Sequence, residues 1–217
     1  MEKIIKLRKL FKSYNLDGYI IPKNNNFFGE YVSETEDNLK YISNFTGSAG
    51  FAVILRNKNY MFVDGRYTIQ AGIQCGKEFR ICNIPKEYPF IIFKNKNLNL
   101  GFDPKLHTEN SINRLFGNSS IKLKPVNENL IDLLWERERN SKIKPFYLIK
   151  DQDAGAKVQN KLNGLIKIIR FNKADYSFVT ASENVAWLLN IRGEDTSYSP
   201  LPNSHAIISK DGKVSLF

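Results

Sequence analysis

The first fourteen residues alternate charged and apolar positions, and Ile4, Leu7, Phe11 and Tyr14 recur at helical spacing. This predicts an amphipathic helix with one apolar face. Asn15-Leu16-Asp17-Gly18 ends it. Tyr19-Ile20-Ile21 reads as a short strand stopped by Pro22, which has no backbone N–H for a ladder. Asn24-Asn25-Asn26 lies in a polar loop. Ser33 stands three residues before Glu36, the spacing of a capping box, ahead of a short helix with apolar positions Leu39, Ile42 and Phe45. Thr46-Gly47 stops that helix, and Gly47-Ser48-Ala49-Gly50 turns the chain into Phe51-Ala52-Val53-Ile54-Leu55. That continuous apolar run is of the buried-strand type. Arg56-Asn57-Lys58-Asn59 is a polar hairpin connection, and Tyr60-Met61-Phe62-Val63 is the return strand.

The pattern is helical from Arg66 to Gln74, and Phe79-Arg80-Ile81-Cys82 is a strand candidate. Phe90-Ile91-Ile92-Phe93 fits a strand or a helical turn. Leu98 to Asp103 alternates as a half-buried strand and stops at Pro104. Thr108 caps a helix running to about Phe116, Ile121-Lys122-Leu123 is a short strand, and Glu128 to Trp135 reads as a helix with Leu130, Leu133 and Leu134 inward. Strands alternating with helices predict an α/β fold with a central sheet. The hairpin makes that sheet mixed.

Glu136-Arg137-Glu138-Arg139-Asn140-Ser141 lacks apolar anchors and marks a linker near Asn140. Beyond it the order of elements repeats. Val158, Leu162, Leu165, Ile166 and Ile169 form a helical face, followed by the strand Tyr176-Ser177-Phe178-Val179 and a helix from Ala181 to Leu189. Asn190-Ile191-Arg192-Gly193 matches Asn44-Phe45-Thr46-Gly47. His205-Ala206-Ile207-Ile208 matches Phe51-Ala52-Val53-Ile54, Asp211-Gly212 is a hairpin turn, and Val214 to Phe217 matches the return strand. The expectation is two domains, residues 1–140 and 141–217, the second truncated inside its hairpin. Leu189, Ile191, Ile207, Leu216 and Phe217 are then expected to be exposed or covered by a partner.

The net charge is +10, but the lysines are dispersed along the chain rather than clustered on one element, which disfavours nucleic acid as a partner. No run of eighteen apolar residues is present, so no membrane helix is expected. The amphipathic start differs from a signal peptide, which predicts a cytoplasmic protein. Cys75, Cys82, His107 and His205 are too scattered for a zinc pattern.

Gly47-Ser48-Ala49-Gly50 follows a helix and enters a strand, the reverse of a phosphate loop, so it reads as a tight turn. In Asp64-Gly65-Arg66-Tyr67, Asp64 can cap a helix and Arg66 can pair with a carboxylate, or face a ligand or partner subunit. Arg192 can pair with Glu194 or Asp195, or face substrate. No nucleophile, base and acid are placed as a catalytic set.

Asn44 to Gly50, Val63-Asp64-Gly65-Arg66-Tyr67, Gly101-Phe102-Asp103-Pro104, Asn129 to Trp135 and Ala186 to Gly193 together resemble the N-terminal part of aminopeptidase P (Xaa-Pro aminopeptidase), more closely its three-domain form. The resemblance spans nearly the whole chain. It implies two tandem creatinase-like (ribonuclease H-like) N-terminal domains with mixed central sheets flanked by helices. It also implies a separate pita-bread catalytic domain whose two manganese ions are held by two Asp, one His and two Glu, none of which maps onto this sequence. Peptides with proline at the second position and a homodimer are the implied partners. Arg66, Tyr67 and Arg192 are the candidate substrate-facing or interface residues, and no catalytic or metal-binding residue is expected in this chain. A stand-alone interaction module is the alternative, and a basic nucleic-acid-binding protein a further one.

Overall fold

Helix α1 (Glu2–Leu10) turns Ile4 and Leu7 inward, and Phe11 follows them into the core. The computed structural model describes residues 1–117, 119–137, 145–196 and 198–217. These fall into two units: Met1–Asn26 with Glu34–Arg139, and Phe27–Ser33 with Asn140–Phe217. The linker expected near Asn140 lies mostly outside the described residues.

The first unit continues through β1 (Gly18–Pro22), α2 (Asn38–Ser43), β2 (Phe51–Leu55), β3 (Asn59–Asp64), α3 (Thr68–Cys75), β4 (Arg80–Ile84) and α4 (Pro89–Ile92). It closes with β5 (Asn99–Phe102), α5 (Glu109–Phe116) and β6 (Lys122–Pro125). The sheet order is β4-β3-β2-β1-β5-β6. The β1-β2 and β2-β3 pairs are antiparallel, while β3-β4, β1-β5 and β5-β6 are parallel. The sheet is therefore mixed. Successive strand residues point to opposite faces. Tyr19, Ile21, Ala52, Ile54, Met61 and Val63 pack with residues of α1, α2 and α3. Ile20, Val53, Tyr60 and Phe62 pack on the other side with Phe93, Ile112 and Phe116.

The helix expected behind Ser33 starts only at Asn38, so Ser33 is not its cap. Asp37 caps α2 by accepting from the Lys40 amide at 2.9 Å, and it also pairs with the buried ammonium of Lys23. Thr108 caps α5 as expected, in a reciprocal box with Ser111. The helix expected from Glu128 to Trp135 is instead a run of turns. Tyr41 Oη donates to the Leu134 carbonyl at 3.1 Å, so a side chain takes a backbone acceptor there. Leu130 and Ile131 are buried and Leu133 is exposed. Gly47 is required where it stands, because a side chain would run into the rings of Phe45 and Tyr67.

The second unit holds β7 (Tyr147–Leu148), α6 (Asp151–Ala154), α7 (Val158–Phe171), β8 (Tyr176–Val179), α8 (Ser182–Leu189), β9 (Ile191–Arg192), β10 (Ala206–Ser209) and β11 (Val214–Leu216). Its antiparallel sheet has the order β11-β10-β8, and β7 pairs with β9. The repeat read from the sequence extends to backbone detail. Ala52 faces Ile21 and Met61, as Ala206 faces Val179 and Leu216. Asn44 and Asn190 both close a helix in the left-handed region, at φ 62° and 53°. Asn15 and Lys173 share a positive φ, 50° and 53°, five residues beyond α1 and two beyond α7. Asp17 pairs with Arg56, and Asp175 with Lys210. Leu216 and Phe217 are exposed as expected, and Leu189 and Ile207 are half-buried. Ile191 is buried instead, because it joins the core of α7, α8 and β10. No helix among the described residues is long and apolar enough to cross a membrane.

Candidate functional site

Three parallel strands of the first unit, β1, β5 and β6, end side by side. Each runs into a turn rich in asparagine or aspartate: Asn24-Asn25-Asn26, Asp103-Pro104-Lys105 and Asn127-Glu128-Asn129. Ligand crevices in open α/β sheets lie outside the carboxyl ends of such strands. Here the crevice holds a cavity of about 120 Å³, closed by Glu36, Asn38, Asp132 and Arg137. Asn24 Nδ2 donates to the Leu106 carbonyl at 3.1 Å. Arg137 Nη2 donates to Asn38 Oδ1 at 2.7 Å and pairs with Asp132, while its guanidinium lies 4.8 Å from the Trp135 ring centre. Asp103 is buried, accepts the Lys105 amide at 2.9 Å, and has its carboxyl pKa pushed up by that burial. Amide groups paired in this way can hold a small polar group, but they supply neither a nucleophile nor a poised base. The asparagine run was legible in the sequence as a polar loop. Its convergence with two other strand ends comes only from the parallel pairing.

His107 follows the β5 turn. Its ring meets Phe102 edge-on at 5.7 Å, its Nε2 is buried without a partner, and burial lowers its pKa to about 4, so the imidazole is neutral. Cys75 and Cys82 are buried free thiols, each pushed up to about 11 by burial. These are inert positions rather than nucleophiles.

Arg66 is 75% exposed and grips Asp64 with two bonds, Nε to Oδ1 at 3.0 Å and Nη2 to Oδ2 at 2.7 Å. That grip holds the Asp64 carboxyl below its usual range. Asp64 also accepts the Arg66 amide at 2.9 Å, while α3 begins only at Thr68. Tyr67 is half-buried, with its hydroxyl 2.7 Å from Ser48 Oγ and its ring edge-on to Phe45. The Arg66 guanidinium lies 5.3 Å from the Tyr67 ring centre, so these two candidates are neighbours. Arg192 belongs to the second unit, where Nη1 donates to the carbonyls of Ile191 at 2.8 Å and Ala186 at 3.4 Å. It sits at the carbonyl end of α8, a favourable place for a cation.

Among the described residues, no three His, Cys, Asp or Glu side chains come together as a metal site. The described residues thus offer no fit to the two-metal ligand set, which the resemblance assigns to a separate catalytic domain.

A family model described as the Creatinase/Prolidase N-terminal domain matches residues 3–134, and a second of the same description matches residues 136–217. A probable Xaa-Pro aminopeptidase P of Neurospora crassa is 32% identical over 221 residues, covering 97% of this chain. Another, of Coprinopsis cinerea, is 31% identical over 98% of the chain. The chain spans only 32% and 36% of the length of these two curated relatives. Among solved structures, the X-prolyl aminopeptidase of Caenorhabditis elegans, a cytosolic enzyme with a di-nuclear active site, matches the whole chain at 26% identity and a TM-score of 0.88. The match covers 38% of that enzyme. An Xaa-Pro dipeptidase of Bacillus anthracis shares the fold over 79% of this chain and 43% of its own, at 22% identity and a TM-score of 0.51.

Proposed function

The chain belongs to the creatinase/prolidase N-terminal domain family, and on that premise we propose that it is the non-catalytic N-terminal region of a metal-dependent Xaa-Pro aminopeptidase. The observation that carries this reading is the match of the whole chain to the Caenorhabditis elegans X-prolyl aminopeptidase at a TM-score of 0.88. In this reading a separate catalytic domain, with two manganese ions, removes the N-terminal residue before proline. The present chain forms two domains, divided near residue 140, that shape the approach of the peptide and take part in a cytoplasmic homodimer. Arg66, Tyr67 and Arg192 are the residues facing substrate or the partner subunit. Arg66 suits the role because its exposed side chain is held by Asp64 in one orientation. Asp64 occupies the Nε–Nη2 edge of the fork, and fixing the side chain lowers the entropy lost when the remaining Nη1 edge meets a carboxylate.

The test has two arms. The purified chain with manganese and an Xaa-Pro peptide should show no turnover above a buffer blank. A chimera carrying this chain in place of the matching region of the Neurospora crassa relative should turn over the same peptide. In the chimera, Arg66→Ala should raise KM with little change in kcat. Turnover by the chain alone, or a folded chimera without activity, would overturn the reading.

A further inference from the structure

The crevice at the ends of β1, β5 and β6 carries hydrogen-bonding groups that the protein itself leaves unused. Arg137 Nε is buried without a partner, while Nη2 serves both Asn38 and Asp132. Asn38 is 4% exposed; its Oδ1 accepts from Arg137, and its Nδ2 donates to nothing among the described residues. Asn24 spends its Nδ2 on the Leu106 carbonyl and leaves Oδ1 without a donor among them. These three side chains line one cavity, and all belong to the first unit. The surplus is two donors, neighbours because Arg137 and Asn38 bond each other, and one acceptor. Buried polar groups are matched in folded proteins, by the protein, by water or by a ligand.

The carboxylates on the lining already have donors. Asp132 pairs with Arg137, Glu36 accepts Asn25 Nδ2 at 3.2 Å, and the buried Asp103 accepts the Lys105 amide at 2.9 Å. An anion entering the cavity would meet those three carboxylates. A cation would meet Arg137 and Lys105, and no three metal-ligating side chains come together there among the described residues. An uncharged group with an acceptor oxygen beside an N–H answers the surplus without bringing a charge. The cavity of about 120 Å³ has the volume of about four waters, which suits a group of about four heavy atoms. Exposed Lys105 and Asn127 also stand on its lining, so the cavity has a path to solvent.

We propose that this crevice binds the carboxamide group of a small uncharged molecule. The carbonyl oxygen of that group accepts from Arg137 Nε and Asn38 Nδ2, and its N–H donates to Asn24 Oδ1. The site needs no rearrangement to receive it, because Asn38 and Arg137 already hold each other and the Trp135 ring lies beside the guanidinium.

The test titrates the full chain with acetamide, acetate and acetamidinium, which share one shape and differ in charge. Nitrogen-15 spectra follow the side-chain amide signals. Acetamide is expected to saturate with a Kd on the order of 1 mM, about tenfold or more tighter than either ion. Arg137→Lys keeps a cation for Asp132 and removes the Nε–H. Asn38→Asp keeps the acceptor for Arg137 and removes the donor. Each should weaken acetamide about tenfold, with circular dichroism checking that the variant is folded. The ranking of the three probes on the parent chain needs no variant. Tighter binding of acetate or of acetamidinium would make the crevice an ion site and overturn the proposal. Acetamide binding unchanged in both folded variants would place it elsewhere and overturn it too. Failure of all three probes to saturate would leave the crevice to water alone and overturn it equally.

Discussion

Acid should weaken the first unit through His107. Its Nε2 is buried without a partner, and burial is the cause that lowers its pKa from 6.5 to about 4. The folded state therefore resists a proton that the unfolded chain accepts. The stabilising contribution is complete above pH 6.5 and is lost as pH falls from there towards 4. Between pH 7.5 and 5 the loss from this one group is about 2 kcal/mol, and it reaches about 3 kcal/mol below pH 4. Urea unfolding at pH 7.5 and pH 5 measures it directly. Carboxylates also titrate in this range, so the decisive quantity is the difference from His107→Phe, which places an apolar ring against Phe102. The variant should lose about 2 kcal/mol less than the parent over the same interval. An equal loss in both proteins would refute the reasoning, because it would show that His107 takes up its proton without unfolding.

Other expectations follow from burial and close contact. Lys23→Met leaves the Asp37 carboxylate buried without its cation and should cost about 3–5 kcal/mol in urea unfolding. Gly47→Ala drives a methyl group into the Phe45 and Tyr67 rings and should lower stability by about 1–3 kcal/mol, read as a lower Tm. At pH 8 the thiols of Cys75 and Cys82 should stay unreactive to a thiol reagent in the folded protein and react on denaturation; fast labelling of either in the native state contradicts their burial. Hydrogen exchange should be faster at Val214–Leu216 than at Asn59–Asp64, since the first strand is half-exposed at a sheet edge and the second is buried within its sheet.

The parts of the fold legible in the sequence are those decided locally. The Thr108 cap, the apolar run Phe51–Leu55, the hairpin and the two asparagine stops all depend on residues within a few positions of one another. Where distant groups decide, the pattern misleads. Ser33 and Glu36 have capping-box spacing, but Asp37 takes the cap while paired with Lys23, fourteen residues away. Leu130, Leu133 and Leu134 have helical spacing, yet the Tyr19 and Tyr41 hydroxyls meet backbone groups of that segment, and the chain follows the surface of the first unit instead. The crevice at the ends of β1, β5 and β6 joins turns about eighty and twenty residues apart, and only parallel pairing brings them together. Arg66 and Tyr67 could be named because a strand-to-helix junction exposes its first residues. What they face lies beyond any local pattern.

The internal repeat shows why such a reading succeeds for the fold and thins out for the surface. The features shared by the two units are left-handed helix stops, a carboxylate tied to a cation across the strand ends, and a lysine bridging helix to helix. Each is demanded by the path of the backbone, so any copy of that path needs it. The side chains on the sheet face away from the helices carry no such demand. Gly18, Ile20 and Phe62 there become Tyr176, Phe178 and Phe217. Phe62 is wholly buried beneath Phe93, whereas Phe217 is 68% exposed at the same place in its hairpin. Burying one such ring contributes about 2 kcal/mol. The second hairpin therefore buries its aliphatic side chains on the helix side, through Ala206 and Ile208 against α7 and α8, while its other face carries the His205 ring between Phe27 and Phe178.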